Sequence, residues 1–364
     1  MKQIGTSSIN RSVNNIFEPL TTYMDIQSKS NNLNRNAAFS MNLLNPASDE
    51  TDAIHCMVNL KGSLICFLEK SISKILPAEV LDPDNKKPDT RHSYQFIHSI
   101  GSRNPFVART ILQAKGILDS VVLRNGLNKQ TILDHVWDCT QHLINCENSH
   151  YEILTDTTKL MYKCDEIVNQ GKAGSHVTSL PQVKNLNQRV VTFLGNGKRF
   201  LEKSHKLLCI FYGSAFSDSN FQAYREWMAK HEPTKIDIRA FLEENEDWIK
   251  LLAEYRNALD VNHSKPGFKV VIENFKLRAG NKFTNPCWQY DFSAKNGDTQ
   301  EEPSDLVRDM DVFLTNMLIF FESLFLFCIR DNWDTRFDFE ICRHEDESIN
   351  EKCPVLYFIS LKQK

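Results

Sequence analysis

The sequence predicts a mainly α-helical protein of two domains. Three observations carry this reading. Apolar residues recur three and four positions apart through most of the chain. One stretch, "NQGKAGSHVTSLPQ" at 169–182, interrupts that pattern with Gly, Ser and Pro. Strand-like two-residue alternation is read in short segments after residue 267. A chain of 364 residues also exceeds what one small core accommodates. The expected division is an N-terminal helical domain over 1–182 and, over 183–364, a helical bundle with a small antiparallel β addition.

Each element follows from local pattern. Residues 1–50, rich in Asn and Ser, fit one helix and a connection. "TDAIHCMVNLKGSLICFLEKSISKIL", 51–76, has apolar residues at helical spacing and Thr51 as a cap. Pro77, Pro83 and Pro88 make the next segment a loop. Helices are expected over 105–125, 129–147 and 151–169. Beyond the linker they are expected over 185–215, 219–232 and 236–263. The last of these aligns Ile238, Phe241, Leu242, Trp248, Leu252, Tyr255 and Leu259 along one face. Phe268, Val270 and Ile272 then alternate, answered by Trp288, Tyr290 and Phe292, so strands are expected within 268–294. A long apolar helix follows over 304–330, and two strands within 336–361 close the chain.

Bulk properties exclude several classes. The composition (41% hydrophobic, 24% charged, 10% aromatic) is that of a folded protein. A net charge of -3 argues against a protein that coats nucleic acid non-specifically, yet leaves room for one local RNA site. The ten cysteines form no CxxC pair and read as reduced, mostly buried thiols. "MKQIGTSSINRSVNN" at the start has no apolar signal-peptide core, so a cytoplasmic location is expected. The run "VFLTNMLIFFESLFLFCI", 312–329, is about long enough to span a bilayer. However, it contains Asn316 and Glu322, and a carboxylate at bilayer depth costs about 2.5–3.5 kcal/mol. Asp305, Asp309 and Asp311 crowd its entrance and no basic cluster flanks it. It is expected to be a central helix that also offers packing surface to a partner subunit, with no membrane involved.

Chemistry-bearing residues are few. In "HVWDCTQHLINC", His135, Cys139, His142 and Cys146 share one helical face. They extend about 16 Å along the axis, so no single ion reaches all four, and no metal is expected. "GNGKRF", 195–200, lacks the spacing of a phosphate loop. No dinucleotide fingerprint appears, so no cofactor is expected.

The remaining candidate is "YRNALDVNHSKPG", 255–267, at the close of the 236–263 helix. Lys265 precedes Pro266 and is biased out of helical conformation, so the helix should end near His263. His263 stands seven positions after Arg256, which keeps both on one face about 10 Å apart. Similar spacings recur at Arg91/His98 (seven), Arg199/His205 (six) and Arg225/His231 (six), but only Arg256 is followed by Asn. As an ordinary helix end, the pair would simply complement the macrodipole.

This segment resembles the signature of the HEPN superfamily, helical domains found widely in prokaryotic toxins and phage-defence proteins. That signature is an Arg, a polar residue and then a His after a gap of four to six. The resemblance covers only the helical parts of the second half, and the strands lie outside it. It implies a metal-independent endoribonuclease working on an RNA substrate as a homodimer, with an antitoxin or sensor protein as a further partner. Arg256 would hold the phosphate and His263 would transfer the proton. Asn257 and Lys265 would contact the substrate. The alternative is a non-catalytic helical module that binds a protein or nucleotide partner.

Overall fold

The computed structural model describes residues 43–44, 51–87, 89–124, 126–169, 179–213, 220–259, 269–278, 282–291 and 303–362. Two compact units emerge: Met1–Val58 with Ser63–Ser99, and Asn59–Gly62 with Ile100–Lys364. The stretch 169–182 therefore does not part them, because it joins two helices of the second unit.

The first unit corrects the expectation of an N-terminal helical domain. Residues 54–98 hold four strands, β1 (Ile54–Leu60), β2 (Ser63–Leu68), β3 (Ile72–Leu76) and β4 (Ser93–His98), each bonded to the next. The apolar residues satisfy both periods, since Cys56, Val58 and Leu60 are also two apart. The connector decides for strands. Lys61 and Gly62 both lie in the left-handed region (φ 52° and 71°), as a two-residue hairpin turn of the primed type requires. Cys66, Leu68 and Ile75 form the buried core of this sheet. Asp52 fixes the β2–β3 turn, accepting from Lys70 N–H at 2.9 Å and Ser71 Oγ at 2.7 Å.

The second unit is helical. α1 (105–120) begins at Pro105, capped by Asn104, whose Oδ1 accepts from Phe106 N–H at 2.8 Å. It passes through one π turn, Ala108–Leu112, before closing as α-helix over Gln113–Ser120. The expected helices 129–147 and 151–169 are one, α2 (Lys129–Asn169), since no Gly or Pro interrupts residues 148–150. α3 (Leu186–Tyr212) runs antiparallel along it. Asp138 meets Lys203, Cys146 meets the Phe193 carbonyl, and Asp156 meets Arg189.

α4 (Phe221–His231) follows, and the expected helix 236–263 is split into α5 (Ile236–Glu244) and α6 (Glu246–Leu259). Asn245 explains the break. Its side chain donates back to the Phe241 carbonyl and accepts from Trp248 Nε1, both at 2.8 Å, so it competes with the helical ladder.

β5 (Lys269–Glu273) pairs with a later strand, β8 (Cys287–Asp291), which also pairs with the two-residue β9 (Ser304–Asp305). Between them, β6 (Lys276–Arg278) and β7 (Lys282–Thr284) form a hairpin. α7 (Leu306–Asn332) is capped by Asp305, and β10 (Phe339–Arg343) and β11 (Tyr357–Leu361) pair antiparallel after it.

α7 is the axis of the core. Phe320 contacts Phe221, Phe241 and Trp248, Phe321 contacts Phe200, and Phe325 contacts Phe211. Among the described residues it alone is long and apolar enough to cross a membrane, but most of its apolar run is buried against neighbouring helices. Its interior carboxylate, Glu322, is answered by Arg109 and Gln113 of α1. That is the packing of a core helix.

Candidate functional site

α6 places the candidate residues. Ile249, Leu252 and Tyr255, at helical spacing, turn inward. Leu252 closes on Gly197 of α3, where a Cβ would meet its Cδ1 at 3.2 Å. Tyr255 packs its ring 4.6 Å from Trp288 and 6.2 Å from Phe313, and Trp288 Nε1 donates to Asp309 at 2.7 Å. This aromatic wedge ties the last turn of α6 to β8 and α7.

Arg256 and Asn257 follow directly, both half-buried. Arg256 Nη1 donates to Asn257 Oδ1 at 3.2 Å. The amide therefore braces the guanidinium from the next residue. At the other end of α6, Glu246 meets Arg225 of α4 at 3.1 Å, so both ends of the helix are held. His263 and Lys265 lie outside the described residues.

The three other Arg/His pairs are placed differently. Arg199 is exposed while His205 is buried against the ring edges of Phe221 and Tyr224, on another side of α3. Burial pushes His205 down to about 4. Arg225 reaches Glu243 and Glu246, and His231 stacks on Trp227 at 4.8 Å. Arg91 lies in a loop and His98 ends β4.

The His/Cys face of α2 is also placed. Cys139 and Cys146 are fully buried, near Ser204 Oγ (3.9 Å) and the Phe193 carbonyl (3.4 Å). Burial raises both thiols, Cys139 to about 12. His142 meets Asn196. Among the described residues no group of three or more His, Cys, Asp or Glu is arranged to hold a metal ion. "GNGKRF" lies inside α3, and Gly197 serves helix packing.

Two polar clusters escaped the sequence reading. One is Arg109, Gln113 and Glu322. A carboxylate in an apolar run demands a partner, but nothing local says that Arg109 supplies it. The other is Lys61, His135, Asp138 and Lys203, where three separate segments meet. Comparison with protein-family models, curated proteins and solved structures finds no match to this chain.

Proposed function

We propose that the chain is a metal-independent endoribonuclease of the HEPN type, cytoplasmic and acting as a homodimer in a toxin or phage-defence system. The supporting observation is the Arg256–Asn257 bond in the last turn of α6. A braced guanidinium suits bidentate contact with a phosphate whose charge develops in the transition state.

In this reading the His263 imidazole takes the proton of the ribose 2′-hydroxyl. The 2′-oxygen bonds to phosphorus, the bond to the 5′-oxygen breaks, and the imidazolium returns the proton to that leaving oxygen. The products are a 2′,3′-cyclic phosphate and a 5′-hydroxyl. Lys265 would add a second phosphate contact.

The test is cleavage in EDTA by the purified full chain. RNA should be cut and DNA left intact, because DNA lacks the nucleophile. His263→Ala should lose about 10²- to 10⁴-fold in rate. A variant as fast as the parent, or a requirement for added divalent metal, ends the reading. Light scattering that finds a monomer at high micromolar concentration ends the dimer.

The alternative, a non-catalytic module for a protein or nucleotide partner, draws on the exposed end of α2. Tyr151, Leu154, Met161 and Tyr162 reach solvent there.

A further inference from the structure

α2 and α3 meet along a seam whose outer rim carries more cations than carboxylates. Asn196, Arg199, Lys203 and Lys206 fall on one side of α3, three and four residues apart. From α2, His142 Nδ1 lies 3.1 Å from Asn196 Oδ1, and Asp138 Oδ2 accepts from Lys203 Nζ at 3.2 Å. The turn Asn59–Gly62, part of the same unit, contributes Lys61. Its ammonium donates to the other Asp138 oxygen and its backbone N–H donates to Asp134 at 2.8 Å.

One carboxylate thus answers two ammonium groups. Arg199 and Lys206 are exposed, and among the described residues neither meets a carboxylate. Four cations (Lys61, Arg199, Lys203, Lys206) face two carboxylates (Asp134, Asp138), with Glu202 at the margin, in a chain whose net charge is -3.

The imidazoles sit in this field. Burial lowers the pKa of His135, and Lys203, Lys61 and Lys206 add to that against the pull of Asp138. Burial likewise lowers His142, opposed by its bond to Asn196 and by Asp138, with Arg199 and Lys203 reinforcing the shift. With both pKa values lowered from 6.5 the rings are neutral at neutral pH, so the charge excess belongs to the Lys and Arg side chains.

We propose that this seam grips the phosphodiester backbone of a single nucleic-acid strand. Arg199, Lys203 and Lys206 advance along α3 in steps of about 4.5–6 Å, which successive phosphates of one strand can follow. A strand carries charge at every repeat and meets the whole row. An acidic peptide would need carboxylates at matching intervals. Backbone contacts carry no sequence information, so RNA and DNA should bind alike. The seam stands apart from Arg256, because α6 packs on the opposite side of α3, through Leu252 on Gly197.

The test uses the full chain carrying Arg256→Ala, so that no cutting intervenes, with a fluorescent single-stranded RNA and its DNA counterpart. Anisotropy is read across a salt series. Both strands should bind with comparable affinity, and log affinity should fall against log salt by about 0.7 per contacted phosphate. Adding Arg199→Gln with Lys206→Gln should weaken binding tenfold or more and reduce the slope by about 1.4. Adding Lys159→Gln with Lys163→Gln, on the exposed end of α2, should change neither. All these positions are at the surface, and unchanged melting curves confirm intact folding.

Absence of binding, or equal binding by the Arg199/Lys206 variant, overturns the proposal. Displacement by inorganic phosphate at the strand's own concentration also overturns it and reassigns the seam to a small phosphorylated ligand. Displacement by poly-glutamate reassigns it to an acidic protein. Every protein in the series lacks Arg256, so these outcomes are separate from whether the parent cuts RNA.

Discussion

Arg109 and Glu322 stand 213 residues apart in the sequence and form a buried ion pair where the π turn of α1 meets α7. Arg109 Nε donates to one carboxylate oxygen at 3.2 Å and Nη2 to the other, while Gln113 Nε2 adds a bond at 3.0 Å. Gln113 also accepts the N–H groups of Leu356 and Tyr357, both at 2.9 Å, so the cluster pins the approach to β11. Removing Arg109 strands a buried carboxylate. Arg109→Met should cost about 3–5 kcal/mol in chemical denaturation. Arg109→Met with Glu322→Leu should recover much of that loss. Strict additivity of the two single effects would refute the coupling.

Two glycines of α3 make an internally controlled pair. A Cβ at Gly195 meets nothing within 4 Å, whereas one at Gly197 meets Leu252 at 3.2 and 3.3 Å. Gly195→Ala should therefore stabilise the protein by about 0.5–1 kcal/mol through helix propensity. Gly197→Val should destabilise it by about 1–3 kcal/mol, because branched atoms must push α6 away. Thermal melts of both variants decide this, and equal shifts would mean that α3 and α6 do not pack at Gly197.

Acid should weaken the fold through His205. Its folded pKa, about 4, lies below the ordinary 6.5, with burial as the larger cause and Lys206 as a second. The unfolded chain then binds the proton first. Stability is fully present above pH 6.5 and is lost as pH falls toward 4, by at most about 1.4 kcal/mol per pH unit. Burial lowers His98, His135, His142 and His150 as well, so the same sign applies to them. His205→Gln should narrow the difference in Tm between pH 7 and pH 5. A variant with the parent's full pH dependence would show that this ring is not responsible.

At the end of α6, Arg256→Ala should lower RNA cleavage by about 10²- to 10³-fold. Arg256→Lys should restore little, because a point charge cannot reproduce the guanidinium fork. Asn257→Ala removes the brace at Oδ1. It should slow cleavage while Tm stays close to the parent's, as the residue is half-buried at a helix end. Undiminished cleavage by Asn257→Ala would remove the positioning role.

Much of the second half was legible residue by residue. The apolar rows of α3 and α7 and the alternation in β5, β8, β10 and β11 lie close to where periodicity puts them. Periodicity is a property of one segment, and one exposed face against one buried face suffices to produce it. Residues 54–76 show its limit, because their apolar residues fit two periods and the backbone at Lys61 and Gly62 decided between them. Likewise, the sequence named Arg256 and Asn257 as neighbours, but the bond that braces one with the other is a matter of side-chain geometry. The partner of Glu322, the two ammonium groups on Asp138 and the closing of Leu252 over Gly197 each join segments distant in sequence. Such pairings were decided only by the tertiary structure. The physical reason is that a side chain's own neighbours set its local conformation, whereas the energy of burying charge depends on what another element brings to the same place.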